Sequence, residues 1–121
     1  MRELALIIED DEDLVNIFAE ALRGVGYEIE FAVDGKIAQE RMRNEPVPYL
    51  ILLDMHLPHI SGADLLAEMK EDERFADTTI IITTADARMG ETYGHQADFV
   101  LIKPISFVQL RDLTARLKPQ K

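Results

Sequence analysis

Asp54 closes the apolar run Ile51-Leu52-Leu53, four residues before Pro58. Leu4-Ala5-Leu6-Ile7-Ile8 also ends in acid, at Glu9 and Asp10. Thr79-Ile80-Ile81-Ile82-Thr83 runs into Thr84-Ala85, and Phe99-Val100-Leu101-Ile102 runs into Lys103-Pro104. Three carboxylates, a hydroxyl and an ammonium therefore stand just past segments that read as buried strands. Brought together, they have a specific chemical use. Clustered carboxylates repel one another, and a hard divalent cation relieves the repulsion. Magnesium takes oxygen ligands, often one or two carboxylates together with water and a phosphate oxygen. Asp10 and Asp54 would bind it directly, and Glu9 directly or through water. A carboxylate beside such a cation can also act as a nucleophile and form an aspartyl phosphate. Lys103 would then neutralise the phosphoryl oxygens in transit, and Thr84 would donate its hydroxyl to one of them. Singly, each feature has an ordinary reading: an acidic first turn on a helix, a solvated lysine before a proline, a threonine favoured by strand geometry. Their joint placement points to chemistry.

The segments between these ends must position them. Leu14, Ile17, Phe18, Ala21, Leu22 and Val25 fall on one helical stripe, with Gly24 and Gly26 at its end. Tyr27 to Val33 reads as a strand, and Gly35 to Asn44 as a short helix closed by Pro46 and Pro48. Leu65, Leu66 and Met69 mark a helix to about Asp72, and Phe107, Val108, Leu110, Leu113 and Leu117 mark a final one. The pattern is five alternating strand–helix units. Continuous apolar strands with interposed helices argue for a parallel sheet covered on both faces. Ligands of such α/β sheets bind at the carboxyl ends of the strands, where the five polar residues lie.

Composition narrows the function. A chain of 121 residues fits one domain, taken here as 1–121. No apolar run is long enough to span a membrane, and the N-terminus does not read as a signal peptide. The chain has no cysteine, which excludes disulfides and thiolate metal sites and fits a cytoplasmic setting. The formal net charge is −10, which disfavours direct nucleic-acid binding. The charge is uneven: residues 1–60 carry 5 basic and 13 acidic side chains, residues 61–121 carry 8 and 10.

The chain resembles the response-regulator receiver domains of two-component signalling, along essentially its whole length. The matching motifs are Glu9-Asp10-Asp11, Asp54-x-x-x-Pro58 with Gly62, Thr84-Ala85, and Lys103-Pro104. The resemblance implies a flavodoxin-like doubly wound five-stranded parallel sheet in the order 2-1-3-4-5. It makes Asp54 the phosphoacceptor. Magnesium would be held by Asp10, Asp54 and the backbone carbonyl of His56, with Glu9 assisting. Thr84, with Ala85, would be the switch, and Lys103 would contact the phosphoryl group. The donor would be a sensor histidine kinase or a histidine phosphotransfer protein, docking at Leu14, Val15 and Pro104. A downstream protein would read the state, with a homodimer as one arrangement the family allows. No membrane or nucleic-acid partner is implied, and the protein would be a signalling domain rather than an enzyme.

Two departures from the family pattern stand out. The family usually places Tyr or Phe three residues before the lysine, and here that residue is Val100, with Phe99 beside it. Phe99 is expected to pack against a helix. The Thr84–Lys103 interval is also shorter than usual by about one helical turn. Gly90 and Gly94 weaken the segment between, leaving Met89 and Tyr93 to anchor a short fourth helix or a single turn. Phosphorylation would then act by ordering the Ala85–His95 loop. The chain reads as stand-alone, with the receiver half of a longer regulator as the alternative. Two other classes compete. A magnesium-dependent aspartyl-phosphate phosphatase would carry a second acid where His56 stands. A flavodoxin-like cofactor binder would carry a phosphate-cradling loop where the five acids Glu9–Asp13 stand.

Overall fold

The computed structural model describes residues 3–118. Five parallel strands alternate with five helices: β1 (Leu4–Ile8), α1 (Glu12–Gly24), β2 (Glu28–Ala32), α2 (Gly35–Met42), β3 (Leu50–Asp54), α3 (Gly62–Glu71), β4 (Thr79–Thr84), α4 (Ala87–Tyr93), β5 (Phe99–Ile102) and α5 (Phe107–Leu117). The sheet order is β2-β1-β3-β4-β5, the doubly wound arrangement expected. No helix among the described residues is long and apolar enough to cross a membrane.

Strand alternation builds two cores. Leu6, Ile8, Ile51, Leu53, Ile80 and Ile82 face Leu65, Leu66 and Met69 of α3. Their neighbours Ala5, Ile7, Leu50, Leu52, Ile81 and Leu101 face Val15, Phe18 and Leu22 of α1 and Leu110 of α5. β1, β3 and β4 are thus apolar at successive positions because both their faces are covered, whereas β2, at the edge, carries Glu28 and Glu30 among its apolar residues.

Each of the five α-helices begins with a side-chain cap in the loop that follows a strand. Asp11 accepts from the amides of Asp13 and Leu14, Asp34 from Ile37, Ser61 from Asp64, Asp86 from Arg88 and Ser106 from Gln109. Short polar side chains stop the strand and satisfy the first free amides of the helix. The helix starts, and the loops carrying the polar residues, therefore gather along one edge of the sheet.

Several expectations shift. Tyr27 precedes β2 instead of opening it, and is buried, its hydroxyl donating to the Thr114 carbonyl at 2.9 Å. Ile17, Phe107 and Val108, read as helix stripe, are 42%, 39% and 51% exposed. The fourth helix is indeed short, seven residues followed by a 3-10 turn over Gly94–Gln96. No α4 residue is fully buried, and Met89 and Tyr93 pack against the α3-side core together with Val100. Phe99 lies on the opposite face from Val100, in a recess shared with Gln109, Leu113 and Arg116 of α5, and remains 37% exposed.

Candidate functional site

The sheet register carries Asp54 to the end of the central strand. Asp54 pairs with Thr83 across β3 and β4, and the Met55 amide continues the ladder to the Thr83 carbonyl at 3.1 Å. Asp54 is only 2% exposed. Its carboxylate accepts the His56 amide at 3.1 Å. Behind it, α3 starts so close that a Cβ at Gly62 would overlap the Asp54 carbonyl oxygen and stand 2.6 Å from the Met55 Cα. Only glycine lets α3 approach the strand tip this closely.

β1 delivers the other acids. Glu9 is buried and Asp10 exposed, and one carboxylate oxygen each from Glu9, Asp10 and Asp54 lie within 4.8 Å of one another. Three oxygen donors, two of them shielded from water, suit a hard divalent cation. β5 delivers Lys103, whose ammonium lies 2.8 Å from Glu9 Oε1 and 3.5 Å from Asp54 Oδ1. The Lys103 amide donates to the Thr84 carbonyl at 2.8 Å, which ties the two strand ends together.

The electrostatics follow from this crowding. Burial, with Asp54 adding like charge, pushes the Glu9 carboxyl up to about 7 despite its bond to Lys103. Burial alone would lower the Lys103 pKa, but the hydrogen bond to Glu9 and the charge of Asp54 outweigh it and raise it. Among the described residues, Lys103 is the one cation that contacts both buried carboxylates.

Thr84 is fully buried. Its Oγ1 accepts the Asp86 amide at 3.0 Å and donates to the Asp86 carbonyl at 3.4 Å. Asp86 was not anticipated from the sequence, although an Asp two residues after the strand end and just before a weak helix is a cap signal. It links the Thr84 hydroxyl to the start of α4. Ala85, beside it, is exposed.

The structure therefore brings together Glu9, Asp10, Asp54, Thr84 and Lys103, with His56 contributing its amide. Pro104 is exposed and Leu14 half-buried next to this edge. Val15 corrects the expectation of a docking role: it is 4% exposed and belongs to the α1-side core. One residue along a helix turns a side chain by about 100°, which here carries it from the rim into the core. A surface recess of about 640 Å³ between α2 and α3, lined by Gln39, Met42, Arg43 and Arg74 among others, contains none of these groups.

Residues 5–115 match the family model described as the response regulator receiver domain. Among curated proteins, the chain is 27% identical to the probable methanogenesis regulatory protein FilR2 of Methanothrix harundinacea, over 95% of this chain and 81% of that protein. It is 31% identical to the response regulator ArlR of Staphylococcus saprophyticus, over 93% of this chain but 50% of that protein. The chemotaxis response regulator CheY4 of Vibrio cholerae superposes with a TM-score of 0.87 at 20% identity, covering 98% of this chain and 100% of that one, a likeness of fold. The response regulator TrrA of Thermotoga maritima, solved in complex with Mg(2+)-BeF, superposes with a TM-score of 0.83 at 26% identity, covering 96% and 99%.

Proposed function

The chain belongs to the response regulator receiver family, and on that premise we propose that Asp54 accepts a phosphoryl group from a histidine kinase or a histidine phosphotransfer protein. In the transfer, the phosphorus–nitrogen bond of the donor phosphohistidine breaks as a bond forms from an Asp54 carboxylate oxygen to phosphorus. The observation that carries this reading is the buried Asp54 carboxylate with Glu9 and Asp10 within 4.8 Å and the Lys103 ammonium at 3.5 Å. Receiver domains bind magnesium at such an acidic pocket. Here Asp10, Asp54, the His56 carbonyl and Glu9 would hold it, and it would supply positive charge to the phosphoryl oxygens. Lys103 then exchanges a Glu9 oxygen for a phosphoryl oxygen, and Thr84 redirects its proton from the Asp86 carbonyl to another. Burial of Asp54 limits water's access to the resulting acyl phosphate.

Leu14 and Pro104 remain docking candidates for the donor. Ile17, Phe107 and Val108, exposed on the α1 and α5 helices that pack together, join them. The output passes from Thr84 through Asp86 to α4, not through a rotating aromatic ring. Val100 supports this, because its position is filled by close approach of α4 and the 3-10 turn after it: Cβ atoms at Gly90 and Gly94 would lie 2.9 and 3.1 Å from its methyl groups. The domain signals through protein contacts and catalyses nothing beyond its own phosphorylation and dephosphorylation.

The test is incubation with acetyl phosphate, with intact mass as readout. One phosphoryl group should appear with magnesium, vanish in excess chelator and be absent in Asp54→Asn. Labelling that survives either change would overturn the assignment. Sustained turnover of p-nitrophenyl phosphate would favour the phosphatase reading.

A further inference from the structure

The phosphotransfer chemistry uses the carboxyl edge of the sheet, and the flank of α1 that faces β2 takes no part in it. Phe31 stands there, 57% exposed, on the outermost strand. Its backbone is held in full register, opposite buried Ile7, so a well-paired strand presents the ring. Between the ring and α1 lies a recess of about 170 Å³ lined by Glu12, Val15, Asn16, Phe31 and Val33. A lone exposed phenylalanine is ordinary. One that walls a recess with room for another large side chain is less so.

The rim is acidic. Glu12, Asn16 and Glu20 recur every four residues along α1 and are exposed, as are Asp11 and Asp13. No lysine or arginine occurs from Glu3 to Leu22. This charge decides among occupants. A second copy would bring the same acids against its own, and nucleic acid or an anionic membrane would be repelled as well. A neutral apolar partner would leave the acids unused. We propose that the α1–β2 groove docks a basic protein segment that seats one large apolar side chain against Phe31. The groove is lined from α1 and from β2 with its following residue, and its lining includes no residue of α5 and neither Leu14 nor Pro104. The proposal is independent of the phosphotransfer reading.

The probes are a short oligolysine peptide with one central leucine and the same peptide with alanine there. Each is titrated into the full chain at low salt and followed by amide NMR. The leucine peptide should shift Val15, Asn16, Phe31 and Val33 and bind about tenfold tighter than the alanine control, since burying the larger side chain is worth roughly 1–2 kcal/mol. Phe31→Ser should abolish that preference. Asn16→Arg, at an exposed helix position, should weaken both peptides without touching the ring. Glu12→Gln with Glu20→Gln should weaken both and leave the preference intact. Equal affinities would overturn the proposal. So would a leucine preference that survives Phe31→Ser, affinities for both peptides that Asn16→Arg leaves unchanged, self-association through the same residues, or binding to duplex DNA or phosphatidylglycerol vesicles.

Discussion

Gly90→Ala tests how α4 is held. Alanine for glycine in a helix interior is worth about 1 kcal/mol by propensity alone, so an unconstrained α4 would be stabilised. The new Cβ, however, would stand 2.9 Å from Val100 Cγ1 and 3.5 Å from Ile102 Cδ1, where carbon atoms prefer about 3.5–4.0 Å. Val100 is β-branched and cannot swing aside. The helix must lift instead, and overpacking of this kind costs about 1–3 kcal/mol. The net expectation is a loss of roughly 0–2 kcal/mol, or up to about 8 °C in Tm at about 4 °C per kcal/mol for a chain of this size. Val100→Ala removes the obstacle, and in that background Gly90→Ala should recover its gain of about 1 kcal/mol. The assay is a double-mutant cycle by urea denaturation, with an expected coupling of about 2 kcal/mol. A Gly90→Ala protein stabilised equally in both backgrounds would refute the close packing of α4 on Val100. With beryllofluoride as a phosphoryl mimic, hydrogen exchange of the α4 amides should change in the wild type, and the change should shrink in Asp86→Ala, which loses the helix cap.

Three further outcomes are expected. Magnesium affinity, measured by calorimetry, should weaken as pH falls through about 7, by up to about tenfold per unit if one proton is displaced, and Glu9→Gln should flatten the profile. In the metal-free protein the same raised carboxyl contributes stability that is fully present below its ordinary value of 4.5 and is lost as pH rises through about 7; a melting temperature that rises across this window, and does so only with Glu9 present, would contradict it. Val15→Ala should cost about 2 kcal/mol in urea denaturation, as buried truncations do, whereas Leu14→Ala should cost less and slow phosphotransfer from the donor. Tyr27→Phe should cost about 1–3 kcal/mol by leaving the buried Thr114 carbonyl without its hydroxyl partner, and a neutral substitution would show that this bond does not hold α5.

The strands and their polar ends were legible in the sequence because both are local properties. A fully buried parallel strand is a short apolar run, and the residue that ends it must be polar, so Asp54, Glu9, Asp10, Thr84 and Lys103 could be named before any contact was known. Two glycines in a short interval likewise foretold a reduced fourth helix. Which side of each helix meets solvent was not local. Periodicity placed Leu14, Ile17, Phe18 and Val25 on one stripe, but α1 packs against both the sheet and α5, and that packing turned Val15 inward and left Ile17 outside. Phe31 reads from the sequence only as part of a strand, and its exposure shows once the fold sets β2 at the edge of the sheet. Asp86 acquires its role only when Thr84 turns its hydroxyl toward the first peptide of α4. Residue type and spacing determine what each segment can do and where it must end. Only the tertiary structure decides which surfaces face one another, because that depends on groups far apart in the chain competing for the same buried space.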